Sequence, residues 1–486
     1  MSDSSKEPMA EQAPVILDRG HHPISRRDID FDALKVLYRL HGHGFIAYLV
    51  GGAVRDLLVG RRPADFDIGT DAHPNQIKRL FRNAFLIGRR FRLAHIRFQG
   101  GKIIEVSTFR RRPEGDEPAE EPVLENPAEP AGLGPGDSWL EASAGPGGEP
   151  IDGGPDAAAG PEAESAAGPE QPATPGPPCP RPPLKPIAFG TPREDAFRRD
   201  ITINALFYDI GTYAVIDYVG GLKDLEAGLI RIIGDPAESY QEDPVRMWRV
   251  LRHAARLDFG IEEATEKAIL DMRDLLAKCA PSRLFEEFAK DIKSGASGPF
   301  FELVRRQNIL PVILGGIGRL YQDYDALFRR LSGFLAAVDE SVRRERTPPP
   351  EIAYSLFFWP WAEDVLAHAQ GDKAKVLYDA FREAKPAVQF PRSLVLDAFQ
   401  TLVIVEHMLK ALATGRMKWA LKKRAHWAGA SRIVALITTG SLAEDEDAFD
   451  RLFRAKFPVG PQEKRRRRRP RRRRPDGGNL PPAPAG

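Results

Sequence analysis

The chain has 486 residues, 42% of them hydrophobic and 28% charged, with a formal net charge of +2. This ordinary globular composition allows two to four domains with sizeable cores, and no apolar run is long enough to argue for a membrane-spanning chain. The small net charge hides segregation: residues 113–186 carry 15 carboxylates against Arg181 and Lys185, about −13, while Lys464 to Arg474 carry ten cations and the remainder about +5. Such asymmetry points to a polyanionic partner or to segments that manage one.

Taken in chain order, the opening "MSDSSKEPMAEQ" lacks the basic-then-apolar order of a signal peptide, and residues 1–23 read as a flexible N-terminus. "FDALKVLYRLHG" has helical apolar spacing at Phe31, Leu34, Leu37 and Leu40. "GFIAYLV" reads as a buried strand, Gly51-Gly52 as a turn and "AVRDLLVG" as a short helix, and "ADFDIGT", "LAHIRF" and "KIIEVSTF" alternate like strands. From Pro113 to Pro186 the chain is Pro, Gly, Ala and Glu with few large apolar residues, and is expected to be disordered because it cannot bury enough surface to offset ordering entropy.

Folded patterning resumes at "IAFGTPREDAFRRDITINALFYDI", a strand-turn pattern runs to about Pro236, and nearly everything to Phe457 is helical, including "ALKKRAHWAG". "SLVLDAFQTLVIVEHML" contains Asp397 and Glu406 and reads as a buried helix rather than a membrane span. Cys179 lies in a Pro-rich run and Cys279 is the other cysteine, which favours a reducing compartment over a structural disulfide. The expectation is a soluble cytoplasmic protein with an α/β head (24–112 and 187–236), a disordered insert (113–186), a helical neck for nucleotide-base recognition (237–300), a helical body or RNA-binding region (301–457) and a disordered basic tail (458–486).

Asp65 and Asp67 are two apart, so on a strand both carboxylates project from one face. Two like charges that close need a cation between them, and Mg²⁺ takes one or two carboxylates, keeps waters and completes its shell with substrate phosphates. Glu105 on the "IIEVSTF" strand offers a third carboxylate, and the Gly51-Gly52 turn opens a helix whose N-terminus suits a phosphate. A bare D-x-D also reads as a pair of solvated turn residues.

Gly51-Gly52 followed by "DFD" resembles the nucleotidyltransferase superfamily that includes DNA polymerase beta, and more narrowly the class II group of bacterial poly(A) polymerases and CCA-adding tRNA nucleotidyltransferases. The resemblance covers residues 24–112 and 187–300 and extends weakly into the helical remainder. It implies an α/β nucleotidyltransferase head followed by an all-α neck, body and tail, a two-metal Mg²⁺ site with Asp65 and Asp67 as ligands, and Asp200 with Glu105 completing the catalytic set. It also assigns Gly51, Gly52 and Arg55 to the nucleotide. "RRDITINAL", Arg198 to Leu206, is similar to the family motif usually written RRDFTINAL and implicates Arg199, Asp200 and Asn204, with Ile201 in the usual place of Phe.

"EDPVRMWRVLR" resembles the family's EDxxR motif, in which an aspartate and an arginine hydrogen-bond to the base of ATP or CTP; here these are Asp243 and Arg246, expected on one helical face. "SRLFEEF" resembles the neck helix motif, with Arg283 and Glu286 expected to brace the site. Within the group, Gly88, Arg89, Arg90, Phe91 and His95 follow the poly(A) polymerase form. Arg89 and Arg90 are candidates for RNA phosphates, as are Lys464, Arg465, Arg466, Arg467, Arg468, Arg469, Arg471, Arg472, Arg473 and Arg474 of the tail.

The resemblance thus implies a template-independent polyadenylating enzyme acting on RNA 3′ ends with ATP as substrate, in RNA processing or decay. It works as a monomer, alongside RNA-decay proteins and without a membrane. The alternatives are a CCA-adding or A-adding tRNA nucleotidyltransferase, and a non-catalytic RNA-binding protein.

Overall fold

A computed structural model describes residues 13–88, 93–111, 189–443 and 445–458. The expected insert, the basic tail, and Arg89 and Arg90 lie outside the described residues. These residues fall into two compact units: one runs to Arg198 and takes in Leu206–Tyr218, and the other holds Arg199–Ala205 and everything from Val219.

The first unit is built on an eight-stranded mixed sheet. Its elements are β1 (Val15–Leu17), α1 (Phe31–Gly42), β2 (Ala47–Val50), α2 (Gly52–Leu58), β3 (Asp67–Thr70), α3 (Pro74–Leu80), β4 (Ala84–Ile87), β5 (Leu93–Arg97), β6 (Ile103–Thr108), α4 (Pro192–Phe197), β7 (Leu206–Asp209) and β8 (Ala214–Asp217). The strand order is β1-β8-β7-β2-β3-β6-β5-β4, with β3 and β6 parallel and every other neighbouring pair antiparallel. Residues 1–23 were expected to be flexible, yet Val15–Leu17 pairs antiparallel with Leu17↔Val215 to Val15↔Asp217 and forms the sheet edge.

Asp30 starts α1, its Oδ1 accepting from the amides of Asp32 (2.9 Å) and Ala33 (3.3 Å). The buried stripe of α1 is Ala33, Val36, Leu37 and Leu40, not the one expected from Phe31. Phe31 occupies the first helical position, is 70% exposed, and carries the Lys35 ammonium 4.2 Å from its ring centre. Glycine is required at Gly69 on β3, because a Cβ there would stand 2.6 Å from the Phe109 ring and 3.1 Å from Val50.

The second unit is almost wholly helical. After α5 (Gly221–Ala227), the short strands β9 (Leu229–Ile230) and β10 (Gly260–Ile261) pair in parallel around α6 (Pro236–Glu242) and α7 (Val245–Leu257). There follow α8 (Glu263–Met272), α9 (Pro281–Ile292), α10 (Ser297–Arg306), α11 (Leu310–Asp323), α12 (Asp325–Arg343), α13 (Pro350–His368), α14 (Lys373–Glu383), α15 (Arg392–Thr414), α16 (Trp427–Thr439) and α17 (Ala448–Lys456). Every residue of α13 from Ile352 to Ala362 is buried, which marks it as a helix surrounded by others.

The motif Arg199–Ala205 and residues 219–236, expected in the head, pack with the helical unit, where Ile201 and Ile203 are fully buried in its core and Ile201 bridges to Ile232. One expectation is corrected here. "ALKKRAHWAG" is not one helix: a 3-10 turn spans Trp419–Lys423 and α16 starts at Trp427. From Trp419 to Arg424 only Trp419, against Phe453, and Leu421, against the core, make apolar contacts, which is too narrow a face to dock a longer helix. Among the described residues, no helix is long and apolar enough to cross a membrane.

Candidate active site

The first unit collects acidic groups at one end of its sheet. β2 runs into Gly51, whose φ of 73° is a backbone position that favours glycine, and Gly51 N donates to Leu206 O at 3.2 Å before α2 begins. Val50 is the register partner of Asp67, so the Gly-Gly turn and the aspartate share that end of the sheet. Asp67 opens β3, while Asp65 lies just before it, so the strand expected to carry both carboxylates carries only the second. Both remain exposed.

On the far side Asp67 pairs with Glu105 of β6, and Glu105 with His95 of β5. Directly paired residues of neighbouring strands project from the same face, which places Asp67, Glu105 and His95 in one row. Burial and the charge of Asp65 push the Glu105 carboxyl above its ordinary range, so Asp65 joins this group electrostatically. Burial and nearby Arg97 push His95 down; its Nε2 lies 3.2 Å from Glu105 Oε1 and is a buried atom without an aligned hydrogen bond. Arg55 is buried, and its Nε and Nη2 donate to Asp56 Oδ1 at 2.8 and 2.7 Å.

The donor chemistry suits Mg²⁺. Among the described residues no three His, Cys, Asp or Glu side chains already form a cage. Two exposed carboxylates are nonetheless the usual protein share for an ion that otherwise keeps waters and substrate phosphates.

The second unit gathers the other motif residues around the start of α7. Asp200 Oδ1 accepts from Ile201 N at 2.8 Å, and its Oδ2 lies 3.8 Å from Arg249 Nη1. Burial works to raise the Asp200 carboxyl, but Arg249, His253, the Ile201 amide and Arg246 hold it below its ordinary range. Arg199 Nη1 donates to Asn204 O at 3.2 Å, and Asn204 Nδ2 meets His253 Nε2 at 3.2 Å. Arg246, Arg249 and His253 follow helical spacing, which is why one face of α7 reaches all of these groups.

Asp243 differs from the expectation of a shared helical face with Arg246. It lies outside α7 in an extended conformation (φ −146°, ψ 92°), its Oδ1 accepts from Val245 N at 3.2 Å, and its Oδ2 accepts from Arg283 Nη2 at 2.8 Å. The following Pro244 disfavours the helical conformation there. Two of its lone-pair sites are thus engaged and the others remain for a ligand. Arg246 Nη1 donates to Ser239 Oγ at 2.7 Å and Glu242 Oε2 at 3.2 Å, while its Nε and Nη2 meet no acceptor among the described residues. Arg283 braces Asp243 as expected, but Glu286 is exposed and it is Glu287 that turns inward. Arg249 and His253 were legible only as i, i+3, i+7 companions of Arg246.

The family matches divide the chain differently from the two compact units, since the head-domain match takes in Arg199–Ala205 and residues 219–231. Residues 47–231 match the family model described as the poly A polymerase head domain, and residues 258–318 the one described as a probable RNA and SrmB-binding site of polymerase A. Poly(A) polymerase I of Salmonella typhi is 37% identical over 386 residues, 78% of this chain and 71% of the relative. Poly(A) polymerase I of Escherichia coli O157:H7 is 33% identical over 447 residues, 89% and 84% of the two chains. The CCA-adding enzyme of Bacillus licheniformis is 31% identical over 292 residues, 60% and 57%. Among solved structures, the Bacillus stearothermophilus CCA-adding enzyme in complex with CTP is similar in fold, with a TM-score of 0.53 at 20% identity over 87% of this chain and 81% of that one.

Proposed function

The chain belongs to the poly(A) polymerase I family, and from that membership we propose how its residues extend RNA 3′ ends with AMP from ATP, without a template and with release of pyrophosphate. It is an enzyme of the polynucleotide adenylyltransferase class. The observation that carries nucleotidyl transfer is the acidic row: Asp67 in register with Glu105, under the charge of Asp65, beside the Gly51-Gly52 turn.

In this reading Asp65 and Asp67 hold Mg²⁺, as one site or two. The ion, when bound, supplies activation of the attacking 3′-hydroxyl and neutralises charge on the departing pyrophosphate. Glu105 supports the site, the amides beyond Gly51 and Gly52 serve the triphosphate together with Arg55, which Asp56 fixes, and Asp200 keeps the catalytic role that the family motif implies. Arg199 and Asn204 serve the ribose side.

Asp243 and Arg246 read the base: the carboxylate accepts from the exocyclic amine of adenine, and the unengaged Nε and Nη2 of Arg246 donate to a ring nitrogen. Arg89, Arg90 and the Lys464–Arg474 run act as sequence-independent phosphate contacts. We place the enzyme in the cytoplasm as a monomer working with RNA-decay proteins.

The test supplies generic RNA, or tRNA lacking its CCA end, with each labelled nucleotide. ATP is expected to be used well, CTP poorly, and GTP and UTP hardly at all. Addition of CC to trimmed tRNA followed by a single A would replace polyadenylation with tRNA repair. Arg246→Ala is expected to compress the ATP-over-CTP preference by about tenfold or more, because a polar site that loses its donor loses discrimination. An unchanged nucleotide preference in that variant would remove Arg246 from base reading.

A further inference from the structure

We propose that the surface formed by the end of α15, the 3-10 turn Trp419–Lys423 and the start of α16 is a track for single-stranded RNA; this rests on the reading of the chain as an RNA-extending enzyme.

Arg416, Lys418, Lys423 and Arg424 are exposed there, and none has a carboxylate partner among the described residues. Lys422 shows the contrast, since it is paired with Asp450 at 2.5 Å and Asp447 at 3.4 Å. The nearby acidic groups are largely engaged: Glu406 accepts from Lys373 at 2.6 and 2.8 Å and pairs with Lys410, and Asp445 pairs with Arg451. Asp372 caps α14 through the Ala374 and Lys375 amides and Asp397 lies 3.9 Å from His426, so these two carboxylates offset part of the local charge while the four cations remain in excess.

Trp419 sits among these cations and is 46% exposed. Trp248, Trp359, Trp361 and Trp427 are all buried, so among the described residues Trp419 is the tryptophan open to solvent. Its ring stands at 86° to Phe453 with centroids 5.6 Å apart, which holds it in place while leaving it accessible. Arg424 and His426 also line a cavity of about 290 Å³ with Lys373, Gln400 and His407, room for part of a nucleotide beside the cations.

The turn follows Gly415, which ends α15 at φ 71°, and it is anchored through Met417, Leu421 and one edge of Trp419 while its cations face solvent. Its sequence thus costs the fold little and presents what a single strand needs: an aromatic ring for a base and cations for the flanking phosphates. An acidic peptide would use the cations but has no planar base for Trp419, which is why the observations favour RNA.

The experiment titrates the full chain with oligoadenylate, following tryptophan fluorescence and affinity across a salt series. Extension of the same RNA by the unaltered chain is measured in parallel. Oligoadenylate is expected to quench an emission component that Trp419→Phe removes. Trp419→Ala is expected to weaken affinity about tenfold with little change in salt slope.

The triple variant Lys418→Gln, Lys423→Gln, Arg424→Gln is expected to flatten the slope of log affinity against log salt by about 2, at roughly 0.7 for each phosphate that is no longer neutralised. These three are exposed, so this variant keeps the test independent of any packing loss at Trp419. If the unaltered chain extends RNA but the slope and the Trp419 emission do not move, the track is wrong while the enzyme reading stands. Quenching by polyglutamate equal to that by oligoadenylate would also overturn it, in favour of an acidic protein partner. Failure of the unaltered chain to extend RNA would overturn the enzyme reading on which the track depends.

Discussion

Asp67→Ala is expected to lose AMP addition by about 10³-fold or more while RNA affinity and folding stay near their original values. The loss is placed in the transition state because the carboxylate acts where charge develops, and removing one such group costs at least about 10²–10³ in rate. Stability should survive because Asp67 is exposed at the first position of β3, whose pairing with Val50 and Glu105 is made by backbone groups. Single-turnover AMP addition, RNA binding by anisotropy and thermal unfolding separate the three readouts. Activity within tenfold of the unaltered chain would remove the acidic row from catalysis. A parallel fall in melting temperature would make Asp67 a folding residue instead.

Asp291→Ala is expected to destabilise the helical unit by about 3–5 kcal/mol, the cost of leaving a buried charge without its partner. Asp291 is fully buried on α9 and receives Arg252 Nε at 2.7 Å, Arg252 Nη2 at 2.9 Å and Trp248 Nε1 at 2.6 Å, all from α7. The substitution leaves the indole N–H without an acceptor and leaves Arg252 with Glu287 alone, whose Oε2 lies 2.5 Å from its Nη1. Arg252→Met, Asp291→Leu and Glu287→Gln together remove the three charges of the cluster and are expected to recover part of the loss, because well-packed replacements of buried ion pairs are often neutral. Denaturant unfolding of the two variants checks this, and a cost below about 1 kcal/mol for Asp291→Ala would show that the cluster does not hold α7 to α9. Arg249 joins the same cluster through Glu287 at 3.7 Å and also reaches Asp200, so a loosened helix should also raise KM for ATP.

The same cluster has a pH signature. Burial acts to raise the Glu287 carboxyl, but the Arg252 and Arg249 guanidiniums and the Lys290 ammonium hold it at about 2. A folded-state value below the unfolded one, about 4.3, means the stabilisation is fully present above that unfolded value. It is then lost as the pH falls toward 2. Burial pushes Asp291 in the opposite sense, so the Glu287 share is read as the difference between the unaltered chain and Glu287→Gln. Identical acid unfolding profiles would remove Glu287 from the account.

What the sequence determined by itself was local. The Gly-Gly turn, the helix after it, each alternating strand and each motif are readable within a window of about ten residues. Spacing was therefore enough to indicate a mixed head and a helical remainder, while the polyadenylation chemistry was implied by the resemblance of the motifs to a known family. The stripe of α1 went astray at Phe31 because an apolar residue in the first helical turn can point to solvent without breaking the period.

Only the tertiary structure decided the long-range pairs. Asp243 finds Arg283, Arg252 finds Asp291 and Asn204 finds His253 across separations of 40, 39 and 49 residues. The choice of Glu287 over its neighbour Glu286 depends on which face α9 turns toward α7. It likewise decided that Arg199–Ala205 belongs with the helices, through the burial of Ile201 and Ile203, and that Trp419 stands open beside unpaired cations. The reason is that periodicity reports which residues share a face of one element, whereas the partner of a buried charge is set by how two elements pack, and that information is spread over both of them.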